Sequence, residues 1–100
     1  MPYIYPMPIQ EFYCKKTEAL FRDGVCDKAW RSFDRVARRK LATLNSAKIM
    51  SDLKLPGNHL EKLERDRTGQ HSIRINDKYR LCFIWQSDGP YRVEITDHYK

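Results

Sequence analysis

The tightest constraint on the fold is an alternation in the last third of the chain. Between residues 72 and 96 the large apolar side chains other than Ile84, namely Ile73, Ile75, Tyr79, Leu81, Phe83, Trp85, Tyr91, Val93 and Ile95, all carry odd numbers. Successive residues of a strand point to opposite faces, so a period of two predicts strands with one apolar face. Asn76-Asp77-Lys78 and Ser87-Asp88-Gly89-Pro90 interrupt the run as turns, which makes the segment an antiparallel meander. Its odd-numbered face needs a cover of helices, and the even-numbered face is expected to look outward at least in part.

The cover is encoded upstream. Trp30, Phe33, Val36, Ala37, Leu41 and Leu44 recur at helical spacing through DKAWRSFDRVARRKLATLN, residues 27–45, with Asp27 at its start. Arg31, Arg35, Arg38, Arg39 and Lys40 occupy the other face, either solvated or in contact with nucleic acid or an acidic partner. A shorter helix is predicted from Thr17 as its cap through Arg22, ended by Gly24 in a left-handed conformation. Pro2, Pro6 and Pro8 make residues 1–8 a loose leader entering a short strand around residues 9–13. Residues 58–70 read as a charged connection, and no Gly/Ser linker divides the chain. The prediction is one α+β domain spanning residues 1–100, two N-terminal helices packed on one face of a small antiparallel sheet.

Composition narrows the partners. The net charge of +6 favours a polyanion or an acidic protein over a neutral small ligand. No apolar run approaches the roughly 18 residues of a membrane span, and the opening residues lack the form of a signal peptide, so a cytoplasmic protein is expected. Cys14, Cys26 and Cys82 are odd in number without a CxxC pair, and His59, His71 and His98 are scattered, so neither disulfide nor metal site nor cofactor is expected.

The meander also fixes a register. Keeping Ile75 and Tyr79 on one face requires an odd-length turn, which sets Arg74 opposite Arg80 on the even face. Like charges across strands repel by up to roughly 1 kcal/mol, so the pair either splays into water or holds an anion between its guanidinium forks. By the same parity His98 falls on that face, with Tyr99 beside it. Together they suggest phosphodiester chemistry, with arginines for the phosphate and an imidazole for proton transfer.

These residues carry a resemblance. PGNHLEKLERDRTGQHSIRINDKYRLCFIW, residues 56–85, with the terminal VEITDHYK, resembles the HigB branch of the RelE/ParE toxin superfamily, the plasmid-maintenance-killer type. The matching positions are Pro56, Gly57, Asn58, Leu60, Glu61, Leu63, Arg67, Gly69, the run from Gln70 to Asn76, and the run from Tyr79 to Phe83. The resemblance extends over most of the chain and implies a RelE-like fold. It further implies a type II toxin that acts as a metal-independent, ribosome-dependent endoribonuclease on mRNA, paired with a HigA-like helix-turn-helix antitoxin.

Residue by residue, Arg80 matches the arginine that stabilises the scissile phosphate, and Arg74 lies near a basic phosphate contact. Arg67 and Lys78 are expected to add phosphate contacts. Asp97, His98 and Tyr99 fall on a terminal Asp-Tyr-His with its last two residues exchanged. The parity argument gives proton transfer to His98 first, with Tyr99 as the other candidate. Glu61 stands where some relatives have an active-site histidine, and would serve as a base or as an ion-pair partner. His59 replaces a usual arginine, and Arg65 a usual glycine. Two rival readings are a ParE-like gyrase inhibitor and a non-catalytic module that binds RNA or the antitoxin. The first would not need the Arg80, His98 and Tyr99 constellation. The second would show exposed aromatics, whereas Tyr79, Phe83 and Trp85 share the apolar parity.

Overall fold

The computed structural model describes residues 8–99. Helix α1 (Lys15–Asp23) is followed by a 3₁₀ segment (Lys28–Phe33), helix α2 (Asp34–Ser46) and a 3₁₀ turn at Met50–Leu53. Strands β1 (Glu61–Lys62), β2 (His71–Arg74), β3 (Arg80–Gln86) and β4 (Gly89–Thr96) complete the chain. The strands form one antiparallel sheet in the order β1-β2-β3-β4. Most of the proposed leader, residues 1–7, lies outside the described residues.

The α+β prediction holds, with physical differences in each element. Gly24 ends α1 with φ 70. The helix starts earlier than expected, at Lys15, and Thr17 is inside it rather than at its cap. The Thr17 hydroxyl is fully buried and accepts the Ile95 amide at 3.0 Å. The single helix expected over residues 27–45 is two pieces. Asp27 caps the first by accepting from the Ala29 amide at 3.1 Å, and the three-residue turn of a 3₁₀ helix brings Trp30 and Phe33, both buried, onto one edge. Leu20, Ala37, Leu41 and Leu44 then cover Ile73, Leu81, Phe83 and Val93 in a single core.

The sheet keeps the predicted register at one end and departs from it at the other. Arg74 pairs with Arg80, and Ile73 with Leu81. Between β3 and β4 the register shifts, because Cys82 faces Glu94 but Ile84 faces Tyr91. One extra residue on β4 makes this a bulge, with Arg92 held at φ 51. Parity reverses beyond it, so Tyr91 is half-buried with its hydroxyl donating to Asp88 at 2.7 Å, and Pro90 takes the fully buried position instead. The even face is also less open than predicted: Ser72 and Cys82 are fully buried and Arg80 nearly so. Burial pushes the Cys82 thiol up to about 11.

The expected strand over residues 9–13 is instead a parallel bridge between Phe12 and Val93. It closes the open edge of β4, with Gln10 N–H on the Pro90 carbonyl at 2.8 Å, Val93 N–H on Glu11 at 3.1 Å and Tyr13 N–H on Val93 at 3.0 Å. Thr17 supplies the next acceptor along that edge. Unpaired edge amides invite another chain, and here residues 10–17 of the same chain pair with this edge.

Thr17→Val keeps the side-chain volume but strands the Ile95 amide. Urea unfolding should show a loss of about 1–3 kcal/mol, the cost of an unsatisfied buried donor, with Thr17→Ser much closer to wild type.

Candidate active site

Arg80 opens β3 with its side chain 7% exposed. Its Nε donates to Ser72 Oγ at 2.7 Å, and its Nη2 donates to the carbonyls of Ser72, at 3.3 Å, and of His59. Ser72 lies diagonally across the β2–β3 ladder on the same face, which brings its hydroxyl within reach. Among the described residues Nη1 makes no hydrogen bond; Glu61 Oε1 stands 3.7 Å from it. The Tyr99 ring lies over the guanidinium, 5.7 Å from carbon to ring centre, a cation–π distance.

The His59 carbonyl reaches Arg80 because of the Pro56-Gly57-Asn58 turn. Gly57 has φ 86 and His59 φ 44, conformations that reverse the chain tightly. Asn58 fixes the turn from inside: Nδ2 donates to the Leu53 carbonyl at 3.0 Å, its carbonyl accepts the Arg74 amide at 2.6 Å, and Oδ1 accepts from Lys40. Lys40 was placed on the solvent face of its helix by pattern; it is buried, and desolvation lowers its pKa, helped by Arg39 and Arg74. Arg65 holds φ 57, so the backbone keeps the left-handed form that the glycine usual there adopts freely.

The other candidate residues divide between two hollows. One, about 370 Å³, is lined by Glu61 to Arg65 and Tyr99. The second, about 460 Å³, is lined by Asp77, Lys78, Asp97, His98 and Tyr99. Tyr99 is the wall they share. The parity argument that set His98 rather than Tyr99 against the arginine fails, because β4 ends at Thr96 and the Thr96 hydroxyl turns the chain by accepting the His98 amide at 3.0 Å. The His98 side chain is 89% exposed and stands 3.2 Å from Asp97 Oδ1, while Asp97 also lies 3.8 Å from Lys78.

Two expected phosphate contacts are engaged by the protein itself. Arg67 donates from Nε to the His98 carbonyl at 2.9 Å and from Nη1 to Glu94 at 2.7 Å and Gln70 at 3.1 Å, tying the terminal segment to the sheet. Arg74 has the expected register against Arg80, but its guanidinium is held by Asp77 in the turn. Repulsion between the two arginines is relieved by a separate carboxylate for each. Sequence reasoning missed Ser72, whose place diagonal to Arg80 was readable from the register. It also missed the His59 carbonyl, a backbone group that no side-chain pattern reveals. Among the described residues no three His, Cys, Asp or Glu side chains gather to hold a metal, and no helix is long and apolar enough to cross a membrane.

Two helices on a four-stranded antiparallel meander are consistent with the RelE-like toxin class, and the family match puts the chain in that class. The chain belongs to the HigB-like toxins within it: residues 10–99 match the family described as RelE-like toxin of type II toxin-antitoxin system HigB. It is 41% identical over 80 residues to Toxin HigB-1 of Vibrio cholerae, a match covering 75% of this chain and 81% of that protein. It is 32% identical over 65 residues to an uncharacterized protein of Haemophilus influenzae, covering 64% of each chain. As a toxin of a type II system it has an antitoxin partner.

His71 lies beside this site on β2, its ring stacked on Phe83 at 6.3 Å and its buried Nδ1 without a partner among the described residues. Burial, and then the nearby Lys62, hold its pKa below the usual 6.5. The unfolded chain therefore binds this proton more tightly, and stability falls as pH drops through the range below 6.5. Thermal unfolding at pH 7.5 and pH 5.5 should show a smaller drop in Tm for His71→Gln than for wild type.

Proposed function

We propose that this toxin is a metal-independent endoribonuclease that cleaves mRNA on the translating ribosome and so arrests growth, and that a HigA-like helix-turn-helix antitoxin holds it in check. The reading rests on one observation: Arg80 is fixed by Ser72 and His59 so that, among the described residues, only Nη1 lacks a hydrogen bond, with Glu61 3.7 Å from it and the Tyr99 ring over the guanidinium. Family membership supports it. A buried, pre-oriented donor facing an ionisable group suits charge that appears only during reaction.

In this reading the RNA 2′-oxygen attacks the adjacent phosphorus, and a 2′,3′-cyclic phosphate forms as the bond to the 5′-oxygen breaks. Nη1 of Arg80 binds the non-bridging oxygens, whose negative charge grows in the phosphorane. Glu61 accepts the 2′-hydroxyl proton. His98, 3.2 Å from Asp97 Oδ1, returns a proton to the leaving 5′-oxygen. The Tyr99 ring, between the two hollows, holds the nucleotide over Arg80. Lys78 and Arg74 extend positive charge along the path, and Arg67 acts by fixing the His98 backbone. No step requires a Lewis acid, and ribosomal positioning of the message supplies the remaining orientation.

Primer extension on a reporter message in a reconstituted translation system tests this, with and without ribosomes. Wild type should create new 5′ ends only with ribosomes present. Arg80→Ala should lower cleavage by about 10²–10³-fold, the usual effect of removing one stabilising donor. His98→Gln should lower it by about 10²-fold, the lower range for a lost proton-transfer group, without moving Tm, since the imidazole is almost wholly exposed. An intact message together with inhibited supercoiling would instead make the protein a gyrase inhibitor.

A further inference from the structure

The core-facing side of α2 contains one residue that hydrophobic packing does not explain. Ala37, Leu41 and Leu44 are fully buried, and Lys40, set among them in sequence, is buried as well. A buried ammonium loses its hydration, and an apolar side chain of similar length would ordinarily stabilise the fold as well or better. Desolvation is the largest influence on its pKa, and both charged neighbours acting on it, Arg39 and Arg74, are cations. What offsets this is a hydrogen bond to Asn58 Oδ1.

Asn58 is where that bond acquires a consequence. Its amide donates to the Leu55 carbonyl at 3.0 Å, its Nδ2 to the Leu53 carbonyl at 3.0 Å, and its own carbonyl takes the Arg74 amide at 2.6 Å. With Oδ1 held by Lys40, both polar ends of the side chain and both backbone groups are engaged. The next residue, His59, sits at φ 44, and its carbonyl is one of three acceptors on Arg80. Asn58 therefore controls the arginine pair at two points: directly at the Arg74 backbone, and through one peptide at the Arg80 guanidinium.

We infer that Lys40 is a positioning residue for the active site: its ammonium locks the Asn58 side chain, the locked turn aims the His59 carbonyl, and that carbonyl orients Arg80 so that Nη1 faces the RNA phosphate. The inference deepens the nuclease reading and rests on it. Lys40 touches no substrate, being separated from Arg80 by Asn58 and the His59 peptide. Its loss leaves Arg80 with Ser72 as its acceptor and lets the guanidinium rotate away from the position that the phosphorane needs. Displacement of a catalytic group by about 1 Å costs up to roughly 10²-fold in rate.

The test uses the intact toxin with Lys40→Met, which keeps the length and removes the charge, and Lys40→Gln, which restores a donor. Each is assayed on ribosomes programmed with a reporter message, alongside wild type, Arg80→Ala and the Lys40→Met/Arg80→Ala double variant. Lys40→Met should move Tm by no more than a few degrees, because stranding Asn58 Oδ1 opposes the relief of a buried charge, yet lower kcat by about 10-fold or more with KM within about 2-fold of wild type, the signature of a transition-state effect. Lys40→Gln should recover part of kcat, and Lys40→Met should slow the Arg80→Ala enzyme no further, because both changes act through one group. The Arg80 Nε–H resonance in ¹⁵N NMR supplies a readout independent of cleavage: in Lys40→Met it should shift and exchange faster with water. An unchanged kcat in Lys40→Met, with Arg80→Ala inactive, would overturn the positioning role and leave the nuclease standing. No cleavage by wild type would overturn the nuclease. In that case an unmoved Arg80 resonance in Lys40→Met would also show that Lys40 does not orient the guanidinium. If Lys40→Met does not fold, Lys40→Gln decides by the same two readouts.

Discussion

A guanidinium has five N–H donors and a charge that it cannot shed, so hiding one within a small sheet obliges its neighbours to supply acceptors. Strand β2, the turn at residues 56–59 and the segment after β4 all answer to that demand at Arg80. The serine on the neighbouring strand provides a hydroxyl and a carbonyl, a tight turn provides a second carbonyl, and an aromatic ring and a carboxylate face what remains. The turn in turn requires Asn58, and Asn58 holds Lys40 below the surface. On the nuclease reading proposed above, such rigidity would suit a site with few catalytic groups, because an arginine that is already aimed loses little entropy on binding a phosphate.

The parts legible in the sequence are those governed by periodicity. Odd-numbered apolar residues predicted the face covered by helices, and the length of the Asn76-Asp77-Lys78 turn predicted the pairing of Arg74 with Arg80. The resemblance placed the chain among the HigB-like toxins, and the family match agrees. Periodicity failed where the backbone stops being periodic. The bulge at Arg92 reversed the parity of Tyr91, and the turn after Thr96 carried Tyr99 rather than His98 to Arg80. Neither Arg92 nor Thr96 advertises its conformation, since neither is a glycine or a proline.

A second kind of failure concerns charge. Lys40 and Arg67 look like surface cations because lysine and arginine usually are. Lys40 is buried by a partner 18 residues away, and Arg67 is tied to Glu94, 27 residues away, and to the His98 backbone. A helical wheel sees only neighbours within one helix, so partners at such separations are invisible to it. The outward arginines of α2 follow the simple pattern, with Arg38 paired to Asp34 four residues before it.

The long-range ties also have an order in time. Thr17 meets Ile95 across 78 positions, and Arg67 meets His98 across 31, so neither contact forms until the later residue of its pair has been synthesised. A nascent chain that has produced α1, α2 and most of the sheet still lacks the Tyr99 ring over Arg80 and the acceptor that Arg67 needs. The surroundings of Arg80 are therefore complete only once residues 98 and 99 have docked on the folded sheet.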